Sequence, residues 1–140
     1  MRLKKLLIIT LRIKIIVTLF LWALPLLLVT EGLAQTLGLE VSTPLFFTRL
    51  LGAAYLALVV AYYSGLKQVL NGDSASWVVV MGLVSNGIAT IILMVHCIEP
   101  AFSSYPLNMK IFLIASASAT ALITLGLALS GKSMQNTAGN

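Results

Sequence analysis

The chain has 140 residues, of which 59% are hydrophobic and 9% charged, with a net charge of +5. A soluble globular domain carries roughly 25% charged residues, so a soluble enzyme or a nucleic-acid-binding domain is all but excluded. What remains is an integral membrane domain over 1–140, with an all-α fold: a four-helix transmembrane bundle. Each span needs ~20 apolar residues, and four of them leave room only for short loops. The single Cys97 has no partner for an internal disulfide.

Positions 15–30 carry no charge and predict a first span over about 15–34, with Arg12 and Lys14 snorkelling to the headgroups. Pro25 removes a helical hydrogen bond and predicts a kink. A basic start, an apolar run and small residues at Gly32 and Ala34 also resemble a cleavable secretory signal. The doubly charged start and the apolar residues beyond position 34 favour a retained span. Thr43 and Pro44 then read as a helix start. The second span is predicted over 44–70, followed by an Asn71-Gly72-Asp73-Ser74 turn. A third span over 75–98 stops at Pro100. A fourth over 108–130 ends at Gly131, before a polar tail.

Charge sets the expected orientation. With the N-terminus inside, Arg2, Lys4, Lys5, Arg12, Lys14, Lys67 and Lys132 fall inside, against Arg49 and Lys110 outside. Both ends are thus expected in the cytoplasm of a bacterium with this chain in its inner membrane. Tyr62, Tyr63 and Trp77 read as an inner aromatic belt, Phe46 and Phe47 as its outer counterpart.

Small residues bring membrane helices close. Ala53, Ala57, Ala61 and Gly65 recur every fourth residue and form one stripe. They serve either the packing of the bundle or a homodimer or partner face. Asn86, near the middle of the third span, is expected to bond across helices, with a substrate or quinone contact as the alternative.

Arg49 lies about one turn inside the second span, where a charge snorkels or finds a partner. Glu31, His96, Glu99 and Lys110 fall at the same depth, so Arg49, Glu99, His96, Glu31 and Lys110 form a candidate binding set at the outer mouth. His96 and Glu99, three apart, share a helix face. One histidine is too few for a metal or haem. No catalytic residue, metal or cofactor is assigned.

The stretch Thr43-Pro44-Leu45-Phe46-Phe47-Thr48-Arg49-Leu50-Leu51-Gly52-Ala53-Ala54-Tyr55-Leu56 resembles the second span of small bacterial four-helix membrane proteins, broadly DoxX-like. That resemblance implies the four-span plan and no particular reaction. It carries over Arg49 and Gly52 as structural or site residues. The leading functional expectation is a non-enzymatic accessory or scaffold subunit, with the lipid bilayer and a larger membrane complex or a homodimer as partners and no nucleic acid. A small transporter or ligand-binding protein with its site at the outer mouth is the alternative. A quinone-binding or redox subunit is the third reading.

Overall fold

A computed structural model describes residues 2–36 and 44–137. It is 91% helical and has no strand among the described residues. Helix α1, Arg2–Val17, runs through a π-helical turn, Thr18–Ala23, into α2, Leu24–Leu28. Then come α3, Glu31–Thr36; α4, Phe46–Asn71; α5, Ser76–Ile98; a 3-10 turn, Pro100–Ser104; and α6, Leu107–Thr137. Four stretches are long and apolar enough to cross a membrane: Lys4–Leu28, Phe46–Asn71, Ser76–Ile98 and Leu107–Gly131.

The first helix differs most from expectation. It starts at Arg2 rather than near 15, and it ends at Leu28 rather than 34. Leu7, Leu11, Lys14 and Thr18 lie three or four apart, on one buried face. Tertiary packing therefore draws the basic N-terminal residues into the helix. Arg12, off that face, is exposed, whereas Lys14 is only 5% exposed and does not snorkel.

The expected kink at Pro25 takes the form of a π-turn. The Leu24 N–H donates to Leu19 O, five residues back. Proline has no N–H, and its ring crowds the carbonyl four residues earlier. Widening the preceding turn by one residue relieves that crowding.

The α4–α5 turn is closed by Gly72 at φ 94°, whose N–H reaches Val69 O at 3.2 Å. Only a residue without a Cβ adopts that left-handed conformation freely. At the other end of α4, Pro44 precedes the first helical residue, Phe46; Thr43 lies outside the described residues. Gly131 does not stop the last helix, which continues to Thr137.

Helix α6 packs against α5 and α1, and α4 against α1, the π-turn and α2. The main core joins Leu7, Leu11, Tyr62, Leu66, Val78 and Leu127, at the end of the bundle that carries Arg2. A smaller core, Leu93, Leu113 and Ala117, lies towards the opposite end. Most large apolar side chains on the outer surface are exposed, Ile88, Ile91, Leu122 and Leu129 among them. That is the pattern of helices solvated by lipid rather than water.

Two of the expected packing residues are elsewhere. Gly65 is buried: a methyl group there would sit 2.7 Å from Val78 Cβ. Asn86 is buried too, but Ala53 and Ala57 are exposed and Ala61 is half-buried. The stripe therefore packs inside the bundle at one end and leaves it along the rest of α4. Tyr62 is not a belt residue, since it is fully buried in the main core. Trp77 is exposed, and its Nε1–H donates to Gln68 Oε1 at 2.9 Å.

Candidate functional site

Helices α4 and α5 meet near the turn that joins them. Gly65 lies on Val78, and the Tyr62 and Ser85 hydroxyls share a hydrogen bond of 2.8 Å. Beyond Tyr62 the two helices part, and α5 stays on α6. The gap is a cavity of about 350 Å³ whose lining includes Lys14, Trp22, Tyr55, Ser85, Asn86 and Thr120. Ile88 and Ile92 also border it and are themselves exposed on the outer face of α5. The cavity is thus a cleft that opens sideways, towards the space lipid chains occupy.

Lys14 stands at its base. It lies ten residues beyond Lys4, the start of the first candidate span. Its partner Asn86 lies near the middle of Ser76–Ile98, so Lys14 is level with the centre of the third candidate span. Its Nζ donates a hydrogen bond to Asn86 Oδ1 and lies 4.8 Å from the centre of the Tyr62 ring. Asn86 Nδ2 in turn donates to Gly82 O at 2.7 Å. The amide is therefore held on both sides, and its oxygen is aimed at the ammonium.

No aspartate or glutamate lies within any of the four candidate spans. The charge of Lys14 is met by an amide dipole and the π face of Tyr62, and by no carboxylate among the described residues. A cation at the middle of a span costs roughly 2.5–3.5 kcal/mol on insertion scales, and such residues mark functional sites by default. The far wall of the cleft is aromatic. Trp22 stacks on Tyr55 with ring centres 5.6 Å apart at 26°, and tilts against Phe112 at 5.6 Å and 59°. Trp22 and Thr18 both belong to the π-turn, so the widened turn shapes the wall of the cleft.

None of the five outer-mouth residues lines this cleft. His96 Nδ1 and Glu99 Oε2 pair at 3.1 Å, about half exposed. Lys110 donates to Ser103 O at 2.8 Å and lies 5.9 Å from the Phe102 ring centre. Arg49 and Glu31 are exposed, and no ion pair among the described residues links them to the other three. Of the expected polar residues, Asn86 is the one the structure places in the cleft.

Sequence reading missed Lys14, Trp22, Tyr55 and Ser85 as one group. The available signal was the phase of Lys14 with Leu7, Leu11 and Thr18 on one helix face. No known protein family, curated protein or solved structure matches this chain.

Proposed function

We propose that this chain is a small multi-pass membrane protein that binds a lipid-soluble ligand in the cleft between its second and third spans. The observation that carries this reading is Lys14: a buried cation with no carboxylate partner among the described residues, at the base of a cavity bordered by lipid-facing isoleucines. The volume falls within the roughly 300–1,000 Å³ usual for small-molecule sites. This reading takes up the alternative of a ligand-binding protein and moves its site from the outer mouth to the middle of the bundle. An inner-membrane location with both ends cytoplasmic accompanies the proposal. Its support is five basic residues near the end carrying Arg2 (Arg2, Lys4, Lys5, Lys67 and Lys132) against Arg49 and Lys110 at the other.

Native mass spectrometry of protein gently extracted from its own membrane tests the reading. A small molecule retained by the parent chain and lost from Ala89→Phe, which fills the cleft, supports it. Identical spectra for the two, with no retained molecule, overturn it.

A second reading, an accessory subunit of a larger complex, draws on the exposed Ala53 and Ala57 of α4. Of the four candidate spans, α4 buries the smallest share of its own surface. Added mass from another polypeptide in the same spectra would favour that reading.

A further inference from the structure

The cleft proposed above takes a ligand, and its charge balance specifies which chemical class. We infer that the occupant is a single-chain amphiphile with one carboxylate headgroup, seated on Lys14 with its chain leaving between α4 and α5.

Three observations lead there. First, the base of the cleft carries a positive charge that no acidic side chain of the spans offsets. An anion supplies the missing charge, whereas a neutral acceptor such as a quinone carbonyl leaves it in place. Second, Asn86 is already engaged at both ends of its amide, by Lys14 and by Gly82 O. The headgroup is therefore read by the ammonium, which has three donors and gives Asn86 only one. Third, a cavity of about 350 Å³ suits a small headgroup and the start of one chain. The rest of the chain has an apolar exit past Ile88 and Ile92, into surroundings like its own. A phospholipid would have to bring its glycerol and both chains to the middle of the span.

The cleft contains its own reporter. Trp22 lines it, and the other tryptophan, Trp77, is outside it on the exposed turn end of α5. In full-length Trp77→Phe protein, reconstituted in zwitterionic nanodiscs, emission therefore comes from Trp22. Three brominated single-chain probes are titrated: stearate, its methyl ester, and a lysophosphatidylglycerol of the same chain. Saturable quenching by stearate, roughly tenfold or more tighter than by the ester, is expected from one charge-assisted hydrogen bond. Lys14→Met should remove that preference and Lys14→Arg should keep it. Ala89→Phe should abolish quenching by every probe without touching the charge, which keeps the test decisive if Lys14→Met does not fold. Equal quenching by acid and ester overturns the headgroup assignment and leaves the cleft standing. Tighter binding of the lysophospholipid overturns the carboxylate in favour of a phosphate. Absence of saturable quenching by all three overturns the ligand cleft as well.

Discussion

Tyr62 and Ser85 share a hydrogen bond of 2.8 Å at the level where α4 and α5 begin to separate. Ser85 also donates to Gly82 O at 3.3 Å, so the bond ties a side chain of α4 to the backbone of α5. Tyr62→Phe and Ser85→Ala should each cost about 0.5–1.5 kcal/mol, the worth of one such bond. The double variant should cost little more than the larger single, because both delete one interaction. Denaturant unfolding in detergent measures this cycle, and strictly additive losses would show that the two hydroxyls do not depend on each other.

Asn86→Leu should destabilise the bundle by roughly 1–3 kcal/mol, because it leaves the Lys14 ammonium buried without its acceptor. Adding Lys14→Met should recover stability, since the stranded charge goes with it. The diagnostic result is the sign: a double variant more stable than Asn86→Leu alone. A double variant less stable than either single would mean that Lys14 stabilises the bundle by contacts other than this one.

Gly52 and Gly87 should respond oppositely to alanine. A methyl group on Gly52 would meet the backbone nitrogen of Leu27 at 2.8 Å, and a backbone cannot step aside. The cost should be about 1–3 kcal/mol, the usual range for overpacking. At Gly87 nothing lies within 4 Å of the added methyl. There, alanine should be neutral or stabilising by up to about 1 kcal/mol, from helix propensity. Unfolding curves of both variants decide it.

Ala57→Leu should leave folding within about 0.5 kcal/mol of the parent, as befits an exposed position. Gly65→Leu should disrupt the fold, since Val78 occupies that space. If the exposed part of the stripe docks a partner or a second copy, Ala57→Leu lowers the mass of the extracted complex while the chain stays folded. Unchanged mass removes that role from Ala57.

Single cysteines at Ser103 and Ser133 in a Cys97→Ser background test the orientation. With both ends cytoplasmic, an impermeant thiol reagent added to intact cells labels position 103 and spares 133. The reverse pattern inverts the assignment.

The four-helix plan was legible because apolar length alone decides it, and α5, at Ser76–Ile98, matches the expected 75–98 within a residue. The face each helix turns inward was not legible. In α1, exposed Ile9, Ile13 and Ile16 are as apolar as buried Leu7 and Leu11, so hydrophobicity carries no phase there. In a soluble protein Lys14 would read as surface, and near a helix start it reads as snorkelling. Its burial became visible only with the helix begun at Arg2 and Tyr62 and Asn86 placed opposite it. The His96–Glu99 pair needed only local spacing, and that contact was foreseen. Whether Arg49, Glu31 and Lys110 approached it depended on helix rotation, which depth does not specify.

The π-turn at Thr18–Ala23 amounts to one surplus residue spliced between two helical halves. Each residue of an α-helix advances the face by about 100°. That extra step sets the phase of Leu26 and Leu27, which meet Gly52, relative to Lys14, which meets Asn86. Deleting Leu21 removes that surplus and leaves both halves in phase, whereas a regular α-helix of the full length would swing one half around its axis by roughly that angle. The two contacts would then compete, and the chain would keep its seat on α4 or its cation on α5, but not both.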